Sequence, residues 1–368
     1  MSAYLQTALT DALGCRYPIV QTAMGWVADA NLVIASTRAG AFGFLAGATI
    51  AADQLEAEIL RVIEATGGSN FGLNFHMFQE NAAQCVDLAI EYRLRAVSYG
   101  RGPDRQTIER FKKAGVLCIP TVGAVKHAIK AVELGADMIT VQGGEGGGHT
   151  GGVPSTILLP QVLDAVQVPV IAAGGYSTGR GLAGALATGA AGIAMGTRFL
   201  MSRESPTPLA TLKHYVKVSD PQQIRVTTAV DGMRHRMIEN PFINRLEKAS
   251  AFGRLRIALG SAWHWKQHTG MSLGHMLSVF AQSVKEDPGA LSQTVMAANQ
   301  PVLLQRSMVD GVPDEGILPS GQVAAAIGEI KSCQQLIDEI VQEAERCLLA
   351  VSARCGTTRC QTESAASL

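Results

Sequence analysis

What this chain lacks narrows it quickly. Charged side chains make up only 17% of its 368 residues and aromatic ones 5%, and the 31 basic and 31 acidic groups cancel. Without a net field to draw a nucleic acid or an anionic membrane, any anionic ligand has to be met by a local arrangement of residues. No run reaches the ~18 apolar residues that span a bilayer, and the start, MSAYLQTALTDALGCRYPIV, lacks a basic segment followed by an apolar signal core. The reading is a cytoplasmic protein with neither nucleic acid nor membrane as a partner. Seven cysteines (15, 85, 118, 333, 347, 355 and 360) are odd in number, scattered, and without a C-x-x-C pair. That excludes a dithiol or zinc-ribbon motif and leaves free thiols in a reducing compartment.

Small and apolar residues are plentiful instead, with 47% hydrophobic residues and 39 glycines. This is the composition of a folded enzyme rather than of a disordered chain. At ~100–200 residues per domain the length admits about two domains, or one large barrel with an appendage.

From residue 17 to about 200, short apolar runs alternate with amphipathic segments. The runs are PIVQTAM (18–24), FGFLAG (42–47), FGLNFHMF (71–78), RAVSYG (95–100), VLCIPTV (116–122), MITVQG (138–143), PVIAAGG (169–175) and GIAMGTRF (192–199), eight in all. Between them, Leu55, Ile59, Val62 and Ile63 fall on one helical face, as do Val125, Ile129 and Val132 ahead of the stop signal Gly135. Ser155 and Thr178 stand where N-caps belong. Eight strand-and-helix repeats predict an α/β fold, a (β/α)8 TIM barrel, because each parallel strand needs a covering crossover helix. A doubly wound open sheet is the alternative.

After Phe199 the rhythm stops. Residues 1–202 are read as the barrel and 203–318 as a smaller, mostly helical substrate cap inserted after the eighth strand. The cap holds the Arg-rich RVTTAVDGMRHRMIENPFINRLEKAS and the cluster SAWHWKQHTGMSLGHM. Residues 319–350 return to the barrel with its closing helix, and 351–368, small and polar, are expected to form a flexible tail.

A barrel of this kind keeps its site at the C-terminal ends of the strands. Here these are Met24 and Gly25, Asn74, Thr121, Gln142 to His149, Ala173 to Gly175, and Gly196 with Thr197. AAGGYSTGRG and MGTRF stand where barrels bind a phosphate on backbone N–H groups and a helix N-terminus. The plainer reading of such glycines is close packing of helix on strand.

VQGGEGGGHTGG, Val141 to Gly152, spends seven of twelve residues on glycine. It continues a strand and runs into a proline and a helix, so it is no linker. Gly146, Gly148 and Gly151 satisfy G-x-G-x-x-G, yet the next strand ends in AAGG and not in the acid that holds a ribose. The stretch reads as a mould for a planar ring, with His149 projecting from it. Glu145 orients His149, meets a cofactor hydroxyl, or is an exposed loop acid. His127 reads as a surface residue. His264, His268 and His275 share a helical spacing without an Asp, Glu or Cys beside them, so no metal is expected.

PIVQTAMGWV, FGLNF, AVKHAIKAVELGADMITVQGGEGGGHTGG, VIAAGGYSTGRG and AMGTRFL together resemble the FMN-dependent nitronate monooxygenase (2-nitropropane dioxygenase) family, which includes flavin enoyl reductases. The resemblance implies FMN against Ala23, Met24, Gly25, Asn74, Thr121, Gln142, Gly147 and Gly148. It implies the phosphate at Ala173, Gly174 and Gly175 with Gly196 and Thr197, and Gln322 of SGQ close to the flavin. His149 matches the family's catalytic histidine. TTAVDGMRHR, MAANQPVLLQRSMVDG and GILPSGQVA are most similar to the flavin enzymes of bacterial steroid C/D-ring degradation, which act on indane-carboxyl-CoA thioesters.

On that resemblance the reaction is desaturation beside a CoA thioester, or the reverse reduction, with His149 as base or acid and FMN as hydride carrier. Residues 225–256 carry Arg225, Arg234, Arg236, Arg245, Lys248, Arg254 and Arg256 against Asp231, Glu239 and Glu247, an imbalance that suits the CoA diphosphate. Arg234, His235 and Arg236 are the expected substrate contacts. The rivals are oxidation of a nitronate with O2, an NAD(P)H-dependent enoyl-thioester or quinone reductase, and a flavin-binding protein without turnover. The electron donor or acceptor, NAD(P)H included, and the oligomer, a homodimer included, stay open.

Overall fold

The computed structural model describes residues 3–365 except 78, 101, 251–252 and 254–298. The chain divides into two compact units. The first comprises Met1–Gly144, Val153–Ser205 and Ile330–Leu368, and the second Glu145–Gly152 and Pro206–Glu329.

The first unit is a closed parallel barrel of eight strands. They are β1 (Ile19–Gln21), β2 (Phe42–Ala46), β3 (Gly72–Phe75), β4 (Ala96–Tyr99), β5 (Leu117–Val122), β6 (Ile139–Gln142), β8 (Val170–Ala173) and β9 (Gly192–Met195), while β7 (Gly148–His149) belongs to the second unit. Every barrel strand falls inside one of the eight apolar runs. Pairing of β1 with β9, Ile19 opposite Ile193 through Gln21 opposite Met195, closes the circle and excludes the open sheet. Strands covered on both faces need no polar alternation, which is why β2 and β8 are buried at every position.

The helix Ala8–Leu13 plugs one end of the barrel. Its Leu9 and Leu13 pack with Phe42, Ala96 and Ala191, residues at or just before the starts of β2, β4 and β9. The strands' N-terminal ends are thereby filled with apolar side chains.

Two helical expectations need correction. Helix Ala52–Thr66 buries Leu55, Ile59 and Val62 as the pattern requires. Helix Val125–Leu134 does end at left-handed Gly135, but it buries Ala128 and leaves Ile129 41% exposed. The packed face runs through half-buried Val125, buried Ala128 and half-buried Val132, with Ile129 turned off it. Thr178 caps helix Gly179–Thr188, whereas the N-cap position of helix Ser155–Ala165 is Pro154 and Ser155 is its first residue.

The closing helix starts at Cys333 and continues through Ala365, into the small, polar segment that begins at residue 351. It packs on helix Gly179–Thr188 so closely that a Cβ on Gly179 would lie 2.3 Å from the Ile340 carbonyl oxygen. Among the described residues no helix is long and apolar enough to cross a membrane.

The second unit holds a three-stranded sheet that the sequence reading did not foresee. β10 (Ile224–Thr227) pairs antiparallel with β11 (His235–Ile238), and β11 with β7. Helices Leu209–Val216, Pro241–Lys248 and Asn299–Met308 accompany it. Its core gathers Val230, Met237, Ile243, Leu246, Leu303 and Ile317. Ile317 is part of this core, and the segment through Glu329 stays with it, so the chain rejoins the barrel unit at Ile330 rather than at 319.

Candidate active site

The C-terminal ends of the barrel strands carry the backbone specialisations. Gly174 and Gly175, directly after β8, are both left-handed (φ 94 and 84), a conformation that strains any residue with a Cβ. The Ser155 hydroxyl donates to the carbonyls of Ala173 (3.3 Å) and Gly174 (2.9 Å), and the Gly143 amide donates to the Ala173 carbonyl (3.0 Å). Peptide planes fixed in this way, with no side chains beside them, are how a backbone presents amide dipoles to an anion. Gly196 precedes the short helix Thr197–Leu200, and a Cβ there would lie 3.1 Å from Thr22 Oγ1 and 3.4 Å from Met24 Sδ. These residues fit a phosphate-bearing cofactor.

One anion role is removed. The N-terminus of helix Gly179–Thr188 is occupied by the protein's own Glu343, whose Oε2 accepts from the amides of Gly179 (2.8 Å) and Arg180 (3.3 Å). Gly179 serves helix packing and the helix start meets a carboxylate, so STGRG is not an open phosphate site.

Ala23, Met24 and Gly25 form a half-buried turn after β1, with the amides of Val27 and Ala28 both donating to the Met24 carbonyl. Trp26, next to them, is left-handed (φ 59), and its amide donates to Thr49 Oγ1. A bulky side chain in that region costs on the order of 1–3 kcal/mol and tends to mark functional sites. Nothing in GWV signals it. Asn74 Nδ2 donates to the Ser98 carbonyl and hydroxyl oxygens (3.0 and 2.8 Å), so what Asn74 can offer a ligand is its acceptor oxygen. Thr121 is exposed on β5, and Gln142 ends β6 half-buried.

The glycine-rich loop leaves β6 at Gly143 and is pinched at its neck by the Gly144 amide on the Val153 carbonyl (2.7 Å). Packing accounts for several of its glycines. A Cβ on Gly143 would lie 2.1 Å from Ser155 Oγ, and one on Gly147 would lie 2.5 Å from the backbone of Ser320 and Gly321. Gly148 is left-handed (φ 69) within β7. The Gln322 amide donates to the Glu145 carbonyl (3.0 Å), so the SGQ segment does return to this loop. Gly147 is thus a glycine because SGQ presses on it, whatever else it meets.

His149 is positioned by strand pairing. The Thr150 amide donates to the Arg234 carbonyl (3.1 Å), which makes His149 and His235 the non-hydrogen-bonded pair of the β7–β11 ladder, where side chains approach most closely. Their rings stack at 4.2 Å with 22° between planes. The turn between β10 and β11 then delivers Asp231. Its Oδ1 accepts the Met233 amide (2.9 Å), Gly232 takes φ 83, and Oδ2 lies 2.6 Å from His149 Nε2 and 3.7 Å from His235 Nδ1. Asp231 and His235 are each 1% exposed, and His149 is 41% exposed.

Burial alone would raise the Asp231 pKa, but the hydrogen bond from His149, the Met233 amide and the two imidazoles together hold it below the ordinary carboxylate value. His235 is pushed down to about 4 by burial first and then by its histidine neighbour, against the pull of Asp231. It is neutral at physiological pH.

Asp231 is thus a hydrogen-bond partner of His149. Glu145 acts on Arg236, whose pKa is lowered by burial and by Arg234 and raised by the Glu145 charge. Sequence reasoning missed Asp231, although DG between two short alternating runs, RVTT and HRMI, is a hairpin signal. His235, proposed as a substrate contact, is instead the buried ring under His149. Arg234 is exposed and Arg236 half-buried.

The basic stretch is more balanced than its composition suggests, since Arg225 bridges to Glu247 (3.2 Å) and Glu239 (3.7 Å). Arg254, Arg256, His264, His268 and His275 lie outside the described residues. His149, Asp231 and His235 bring potential ligand atoms within 4.8 Å of one another. Two nearly parallel, stacked imidazoles cannot both hold a single ion in their ring planes, so this arrangement is not a metal centre. Burial pushes the thiols of Cys15, Cys85, Cys118 and Cys333 up to about 12, which rules out thiolate chemistry there.

This chain is an oxidoreductase built on a closed parallel barrel. The chain belongs to the nitronate monooxygenase family, whose sequence profile matches residues 6–89 and 77–343. Two relatives, from Rhodococcus jostii (43% identity, 95% of this chain and 98% of theirs) and Mycobacterium tuberculosis (44%, 95% and 99%), are named (3aS,4S,5R,7aS)-5-hydroxy-7a-methyl-1-oxo-octahydro-1H-indene-4-carboxyl-CoA dehydrogenase. A probable nitronate monooxygenase of Staphylococcus saprophyticus is 31% identical over 66% of this chain and 81% of its own. Among solved structures, FabK from Thermotoga maritima superposes with TM-score 0.77 (28% identity, 95% and 99% covered). The nitroalkane oxidase from Streptomyces ansochromogenes does so with TM-score 0.73 (26%, 94% and 100%).

Proposed function

We propose that this chain is an FMN-dependent dehydrogenase that introduces a ring double bond beside the thioester of an indane-carboxyl-CoA, or reduces one. The observation that carries this reading is the reach of the similarity. The two CoA-thioester dehydrogenases match 95% of the chain, whereas the nitronate monooxygenase relative matches 66%.

When bound, FMN supplies the two-electron acceptor for the hydride that leaves the β-carbon. The barrel residues that would hold it are Ala23, Met24, Gly25, Asn74, Thr121 and Gln142, with its phosphate at Ala173, Gly174, Gly175, Gly196 and Thr197. Gly147, Gly148 and Gln322 are carried over from the family pattern as further contacts. His149 takes the α-proton, acidified by the neighbouring thioester carbonyl, and returns it in the reverse direction. Arg234 and Arg236 are the basic side chains offered to the CoA phosphates.

The direct test is product mass. The enzyme, a saturated indane-carboxyl-CoA and an artificial electron acceptor should yield a thioester two mass units lighter. An unchanged thioester together with rapid consumption of an alkyl nitronate would move the assignment to nitronate oxidation. Flavin reduction by NADH or NADPH, followed by reduction of an enoyl-CoA, would fix the reverse direction.

A further inference from the structure

We propose that Asp231 is the positioning residue of the proton transfer: it holds His149 through Nε2–H and so fixes the ring and its tautomer. The inference rests on the reading of His149 as proton carrier given above. It adds a partner and a tautomer.

The geometry leads there in three steps. A carboxylate can only accept, and Asp231 Oδ2 lies 2.6 Å from His149 Nε2, so Nε2 carries the hydrogen in the neutral ring as well as in the imidazolium. The carboxylate is itself fixed, because its other oxygen accepts the Met233 amide and the side chain is 1% exposed. The His149 ring is fixed from its face by the stacked His235, which the ladder register places directly opposite. A hydrogen bond along one edge and a stack on one face leave the ring little freedom to rotate.

The other charged groups on the elements packed here are Arg234 and Arg236, on or beside β11, and Glu145, in the same loop as His149. Glu145 acts electrostatically on Arg236, while Asp231 holds His149 directly at 2.6 Å. The arrangement follows the logic of an oriented imidazole in which the acid steers the ring and never takes the proton itself.

The test compares Asp231→Asn, Asp231→Glu and His149→Ala in the flavin-loaded enzyme. Long-range ¹⁵N–¹H spectra of the histidine rings should show the Nε2–H tautomer for His149 in the wild type. In Asp231→Asn the carboxamide can donate to Nε2, so the population should move to Nδ1–H. Reduction of the flavin by the thioester should slow about 100-fold or more in Asp231→Asn. Asp231→Glu should recover part of the lost rate and of the Nε2–H population. An aspartate that merely braces the β10–β11 turn would lower thermal stability without changing the tautomer. That result, or an Nδ1–H tautomer in the wild type, overturns the proposal. If His149→Ala reduces the flavin at the wild-type rate, the proton-carrier reading fails instead, and the two failures are told apart.

Discussion

Glu343 Oε2 accepts the amide of Gly179 at 2.8 Å, and a Cβ on that glycine would stand 2.3 Å from the carbonyl oxygen of Ile340 on the same closing helix. One contact thus ties the end of the chain to the segment after β8 and consumes a helix N-terminus that the sequence had offered to a phosphate. Gly179→Ala should force the two helices apart. Overpacking of that kind costs about 1–3 kcal/mol, or several degrees of melting temperature. Thermal unfolding checks it, and an unchanged midpoint would mean that the closing helix is not seated as described.

Acid should weaken the fold through His235 before it does so through Asp231. The folded His235 has a pKa near 4 against 6.5 when exposed, so as pH falls the unfolded chain takes up a proton that the folded one refuses. Stability should fall as pH drops from about 6.5 towards 4, with no contribution from this group above that window. The depressed Asp231 pKa adds its loss only further down, below the ordinary carboxylate range. His235→Phe, which keeps a ring to stack, should flatten the slope between pH 4 and 6.5 in melting curves taken across that range. An unaltered slope would show that His235 is protonated in the fold.

Gly147 and Gly152 sit in one loop and should respond oppositely. A Cβ on Gly147 meets the backbone of Ser320 and Gly321 at 2.5 Å, while one on Gly152 meets nothing nearer than Arg234 Nη2 at 3.9 Å. Gly147→Ala should push the SGQ segment out and expose it to limited proteolysis. Gly152→Ala should leave the digestion pattern as it is.

Ser155→Ala removes the hydroxyl that fixes the Ala173 and Gly174 carbonyls. The stability cost should be modest, ~1 kcal/mol. The larger effect expected is on cofactor retention, measured as flavin per chain after dialysis, because the nest is no longer held in shape. Full retention would place the phosphate elsewhere.

The barrel was legible because its strands are buried on both faces, which concentrates apolar residues into eight runs that need no long-range information to recognise. His149 was legible for a related reason, since its loop follows directly on β6. The glycines beside it were legible as special but not as to cause. Gly147 answers to Ser320 and Gly321, more than 170 residues away in sequence, and Gly179 to Ile340 and Ala344 in the closing helix. Asp231 was hidden in plain view, as one acid counted against seven basic residues, because its partner is 82 residues distant and the hairpin that presents it went unread. Helix Val125–Leu134 was legible as a helix, but Ile129 of its apolar stripe is exposed while Ala128 is buried.

The most direct measurement of the central claim is anaerobic mixing of the oxidised, flavin-loaded enzyme with an indane-carboxyl-CoA thioester, followed by flavin absorbance, beside parallel mixes with propyl-2-nitronate and with NADH or NADPH. The account predicts fast bleaching by the thioester, slow or none by the nitronate, and loss of the fast phase in His149→Ala with the flavin still bound. Rapid bleaching by the nitronate and none by the thioester would contradict it.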